Sequence, residues 1–131
     1  MCRDNKGMTL IEVMIALILL AITSLALIQS VLLATNINII NSLRDEAVSV
    51  TEQRLNELRS LPFTAGDMLV TSPSVTEASI SRHVRSVTCN FTVNKTITQV
   101  DVNTRQVTLI VTWPYKGKQY QHGVSTVVRA Q

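Results

Sequence analysis

The 131-residue sequence predicts an α+β fold: one long N-terminal helix, transmembrane in its first half and amphipathic in its second, packed against a small C-terminal antiparallel β-sheet. Three observations predict it. No Gly or Pro, the two strongest helix breakers, occurs in the 54 residues between Gly7 and Pro62. The first part of that stretch is apolar at 17 of the 21 positions from Met8 to Ile28. From Leu61 onward the composition turns to strand formers, with 26 Val, Thr and Ile among 71 residues. This composition excludes a fully disordered chain and a polytopic membrane protein, and a mass of 14.5 kDa leaves too little outside the apolar run for an enzyme with a deep cleft.

Four segments follow in order. Residues 1–7 (MCRDNKG) are a short leader in which Arg3 and Lys6 outnumber Asp4. Residues 8–28 (MTLIEVMIALILLAITSLALI) form the spanning helix. Twenty-one helical residues rise about 32 Å, enough to cross a hydrocarbon core of about 30 Å. The run is too long for an ordinary secretory signal, whose apolar region has roughly 7–15 residues, and no small-residue cleavage site follows it, so a retained anchor is expected. The charged leader keeps the N-terminus cytoplasmic and sends the rest across. Residues 29–60 continue the helix into the head, with an apolar stripe at Leu33, Ile37, Ile40, Leu43, Ala47, Val50, Leu55 and Leu58 at steps mostly of three or four. Pro62 disfavours helical geometry at Leu61, so the helix should end near Ser60.

Residues 61–131 form a β-rich head. Its first part, to about residue 81, carries two prolines, Gly66 and many Ser and Thr, and reads as a connecting loop with room for one short strand. Strands are then expected around Val87–Val93, Val107–Trp113 and Tyr120–Val128, because apolar residues alternate there with polar ones. The last two are joined by the Pro114–Lys118 turn, giving a meander of three or four strands. A head of 71 residues is marginal alone, so the lower helix should complete its core.

Glu12 is out of place in the apolar run. A carboxylate costs about 2.5–3.5 kcal/mol at the centre of a membrane helix and less near an end. Two readings stand side by side: Glu12 sits near the headgroups and favours the helix N-terminus, or it awaits a cationic partner. The wider junction bears on this choice. Lys6-Gly7-Met8-Thr9-Leu10-Ile11-Glu12-Val13, behind a short basic leader and ahead of a long apolar run, closely resembles the class III signal of type IV prepilins and pseudopilins. The resemblance implies a pilin-like fold, cleavage by a prepilin peptidase after Gly7, N-methylation of the new N-terminal Met8, and pairing of Glu12 with the terminal amine of a neighbouring subunit. Met8 stands where the family usually has Phe. The Val107-x-x-x-Val111-x-Trp113 strand, followed by a turn and a last strand, is also similar to minor pilins of the pilus modification protein V class and to pseudopilin I of type II secretion.

No catalytic constellation, cofactor motif or metal site is legible, and the chain reads as a non-enzyme. Cys2 falls in the leader and leaves Cys89 alone, a small buried hydrophobe at an inward strand position. His83 and His122 lie far apart without flanking ligands, Trp113 reads as core packing, and the sequons at Asn90 and Asn94 are short matches. The formal charge of +3 is spread thinly. The expected function is a minor structural or assembly subunit of a type IV pilus, held in the inner membrane with its head in the periplasm and later built into the surface filament. Its implied partners are other pilin subunits, the prepilin peptidase and the assembly platform. The alternatives are a type II secretion pseudopilin and a pilus-tip module for adhesion or DNA uptake. A tip module that binds nucleic acid would need Arg82, Arg85, Lys95, Arg105, Lys116 and Lys118 on one exposed face.

Overall fold

The computed structural model describes residues 9–77 and 79–130, with the backbone alone for residues 71–73. Among these residues it forms one α-helix and five strands. The helix, α1, runs Leu10–Ser60 and ends one residue before Leu61, where Pro62 bars helical geometry. The strands are β1 (Thr71–Thr76), β2 (Ile80–Val84), β3 (Val87–Asp101), β4 (Thr104–Tyr115) and β5 (Lys118–Arg129), after a short 3-10 turn at Gly66–Met68. The chain divides into two compact units, residues 1–38 and 39–131.

In the second unit the sheet is antiparallel throughout, in the order β1-β3-β4-β5, with β2 also paired to β3. β1 meets β3 at Asn94–Ile97 and β2 meets it at Val87–Phe91, so the two short strands line successive stretches of one long partner. The β4–β5 hairpin closes with a two-residue turn, Lys116-Gly117, whose positive φ angles of 48° and 74° match the right-handed twist of the flanking strands. Pro114 stands inside β4, where sequence reading expects the turn to begin. It is tolerated because the β3–β4 register reaches only Thr112, so the missing N–H breaks no ladder bond on that side.

The inward face of the sheet carries Cys89, Phe91, Val93 and Ile97 from β3 and Val107, Leu109, Val111, Trp113 and Tyr115 from β4, all buried. Against it pack Leu43, Ala47, Val50, Thr51, Leu55 and Leu58 of α1. Thr51, polar yet fully buried, satisfies its hydroxyl on the Ala47 carbonyl at 2.7 Å. The Trp113 ring lies between Phe91 (5.8 Å between centroids) and Tyr120 (6.0 Å, stacked). Two members of the expected stripe do not join this core: Leu33 and Ile37 are exposed, because the sheet covers α1 only from about Ile39. β1 is the one short strand for which the connecting segment had room. The other departure is β2, which begins at Ile80 and forms because the free edge of β3 offers unpaired backbone groups.

Candidate functional site

Two places concentrate chemistry. The first is the start of α1. The Thr9 N–H donates to Glu12 Oε2 at 3.2 Å, while the Thr9 carbonyl accepts from the N–H groups of Glu12 (2.9 Å) and Val13 (3.2 Å). This is the carboxylate half of a capping box: Thr9 is the cap and Glu12, three residues on, reaches back to its backbone. The Thr9-x-x-Glu12 spacing is the sequence sign of it, which the apolar context hides. Gly7 and Met8, the expected cleavage position and new N-terminus, lie outside the described residues.

Beyond Glu12, every residue from Val13 to Thr35 is exposed in the chain by itself, including Leu17, Ile18, Leu25 and Leu27. The helix is long and apolar enough to cross a membrane. Its hydroxyl side chains are satisfied internally: Thr23 and Ser24 donate to the Leu20 carbonyl, Ser30 to Ala26 and Thr35 to Val31. On insertion scales the 12 Leu, Ile and Val between Leu10 and Ile28 contribute about 4–7 kcal/mol, more than one carboxylate costs near a helix end. Insertion therefore wins despite Glu12.

Residues 2–28 match the family model of the prokaryotic N-terminal methylation motif. The chain carries a prepilin-type signal. The match spans 27 of the 131 residues and supports a type IV pilin-like, membrane-anchored protein associated with other pilin subunits and processed by a prepilin peptidase. Comparisons with curated proteins and with solved structures give no match. The motif, the cap at Glu12 and the lipid-compatible helix thus fall on one continuous stretch of the prepilin-type signal.

The second place is an ion-pair cluster in the head. Lys95, on β3, is only 4% exposed. Its ammonium meets Glu77 Oε1 at 3.1 Å and Asp67 Oδ1 at 3.4 Å, and donates to the Asp67 carbonyl at 3.0 Å. Arg54 of α1 grips the same Glu77 with two N–H groups, at 2.6 and 2.9 Å, and reaches Glu57 at 2.8 Å. Burial alone would raise the Glu77 pKa, but the Arg54 and Lys95 hydrogen bonds outweigh it and hold the carboxyl below its ordinary value. The Glu77 hydrogen bond raises Arg54 in turn, against some desolvation. The cluster ties α1, the 3-10 turn and the chain between β1 and β2 to the centre of the sheet.

The six cations considered for a tip module do not share an exposed face. Lys95 is internal, and Arg105 lies under the connecting loop, donating to the Phe63 and Met68 carbonyls at 2.6 and 2.7 Å with its guanidinium 4.0 Å over the Phe63 ring. Both stand at inward strand positions, Lys95 between Val93 and Ile97 and Arg105 two residues before Val107. The period-two pattern that located the strands could have found them. Arg82 contacts Glu46 at 3.6 Å and Gln53 at 3.1 Å, while Arg85, Lys116 and Lys118 are exposed. Cys89 is buried with its thiol toward the Pro114 carbonyl at 3.4 Å, and desolvation raises its pKa, which opposes a nucleophilic role. His83 pairs with Thr88 at 3.1 Å. Among the described residues no group of three or more His, Cys, Asp or Glu could hold a metal.

Proposed function

We propose that this chain is a minor structural subunit of a type IV pilus, cut after Gly7, methylated at Met8, held in the inner membrane with its head in the periplasm, and then built into the filament through its N-terminal helix. The observation that carries this reading is a prepilin-type motif opening a helix whose apolar side chains from Leu10 to Leu33 find no burial within the chain. Such a helix needs an apolar partner twice: lipid before assembly, and the helices of other subunits after it. Glu12 supports a handover between the two. Its carboxylate already holds the Thr9 N–H at the start of the helix. That position at the helix end supports a role for the carboxylate as countercharge to a neighbour's terminal amine.

The prepilin-type motif supports a structural role over an enzymatic one, and the Val107–Trp113 strand pattern favours the minor subunits. The test is to follow the tagged chain in sheared surface filaments from cells that produce them. Recovery there, at a small fraction of the dominant subunit, is the expected result. Recovery only in the cell envelope, together with a secretion defect on deletion, would replace this reading with that of a secretion pseudopilin.

A further inference from the structure

The head has a cavity of about 560 Å³ where α1 ends. Pro62 stops the helix here, so an irregular segment faces the close of β5 and leaves the space open. Leu61, Pro62, Phe63 and Val128 give it apolar walls, Arg59 and Arg129 add two cations, and no Asp or Glu lines it. Arg59 is held in place by its bond to Thr126 Oγ1 at 2.6 Å. A third guanidinium stands behind the Phe63 wall. Arg105, opposite Val128 in the β4–β5 register, lies 4.0 Å from the centre of the Phe63 ring and donates to the Phe63 and Met68 carbonyls. Its Nε is buried with no acceptor. Among the described residues, none of these three arginines forms an ion pair. The acids on the flanking segments are engaged elsewhere: Glu57 with Arg54, Asp67 with Lys95, and Asp101 with the Val102 N–H. The free carbonyls at the end of α1 offset only about half a charge. Carbonyls alone meet the half-buried Arg105, and a charge drawn out of water without a countercharge is costly to hold.

We propose that this cavity binds a small organic anion, with its carboxylate or phosphate ester group between Arg59 and Arg129 and its apolar body against Leu61, Pro62, Phe63 and Val128. Charge complementarity selects the anion, because the lining offers guanidinium donors and no competing carboxylate. Guanidinium suits both oxyanions, since its planar fork presents paired N–H donors. The apolar walls select for a body on that anion: a bare ion gains nothing from them, and a neutral hydrocarbon leaves the arginines unmet. The volume falls within the range of ligand cavities, roughly 300–1,000 Å³. A hydrogen bond to a charged group is worth roughly tenfold or more in affinity, so the two lining arginines together should supply about 100-fold. The site lies within residues 59–130, and it is independent of the pilus reading above.

The experiment places the full chain in phosphatidylcholine nanodiscs and follows the Thr64, Val128 and Ala130 signals by nuclear magnetic resonance during titration. The probes are benzoate and phenyl phosphate, with benzyl alcohol as the neutral analogue and inorganic phosphate as the bare anion. At least one of the two probes should bind roughly tenfold or more tightly than both controls, and its ring protons should show Overhauser contacts to Phe63 and Val128. An R59Q/R129Q variant should bind that probe about 100-fold more weakly. An R85N/K118Q variant, which removes the same charge at the β2–β3 and β4–β5 turns, should bind it as the native chain does. Unchanged Val93 and Leu109 signals report an intact sheet in each variant. Should R59Q/R129Q disturb the sheet, the Overhauser contacts in the native chain decide the matter, and their absence overturns the proposal. Inorganic phosphate that binds as tightly as the probes would mean an adventitious ion only. Benzyl alcohol that does so would mean an apolar cleft without selection for charge. Either result, or an equal loss in the two variants, overturns the proposal.

Discussion

At Glu12 a single carboxylate can serve two roles, and they separate by substitution. As a cap it needs only an acceptor for the Thr9 N–H, which Gln also supplies in a capping box. As a countercharge for an incoming amine it needs its ionisation. Membrane levels and cleavage should stay unchanged for Glu12→Gln and Glu12→Val, because both make the run more apolar and leave Arg3 and Lys6 in place. Recovery of both variants in sheared filaments, measured beside the native chain, should drop sharply, since removing one partner of a buried charge pair costs about 3–5 kcal/mol. Native-like incorporation of Glu12→Gln together with a defective Glu12→Val would reduce the residue to a cap. Lys95 and Arg105 teach the complementary lesson. Read as surface cations, they occupy inward strand positions, and their charge is accommodated only because carboxylates and carbonyls from distant segments meet them.

Among the elements, the link between α1 and the sheet depends on Glu77. Its folded pKa lies below the unfolded value near 4.5, so the folded state binds fewer protons through the acid range. The stability it contributes is fully present above the unfolded pKa and is lost as pH falls through the folded one. Thermal melts of the chain in detergent, followed from neutral pH to below pH 4, should show the melting temperature fall across this window. Glu77→Gln should be less stable by about 3 kcal/mol at neutral pH, because Lys95 keeps only Asp67, and its pH slope should flatten. A slope identical to that of the native chain would remove Glu77 as the titrating link. The helix is the second element under test. Val48→Pro removes a hydrogen bond and clashes with the preceding turn, for about 3 kcal/mol or more, in a stretch where Ala47 and Val50 are buried against the sheet. Melts of the head should register that loss. A head as stable as the native one would mean that α1 adds nothing to its core.

Over the whole molecule, one processing event separates the two phases of its life. Cleavage after Gly7 should leave 124 residues beginning at Met8, with a side-chain charge of +2, since Arg3, Lys6 and Asp4 are lost from a chain of +3. Intact mass and N-terminal sequencing check this, and a mature start near residue 30 would mean an ordinary secretory signal and end the filament reading. The sequence by itself determined the helix, its stop at Ser60 and the three long strands. Breaker-free length, Pro62 and period-two alternation are local signals, each written within one element. It also determined the motif at residues 2–28, since a short signal is read as a linear string. Only the tertiary structure decided the rest. β2 is a strand because β3 has an open edge to pair with, beyond the one short strand for which the Ser-, Thr- and Pro-rich stretch had room. The Arg54–Glu77–Lys95 cluster joins residues 23 and 18 positions apart, and interactions of charge depend on distance in space, which no local pattern in the chain records.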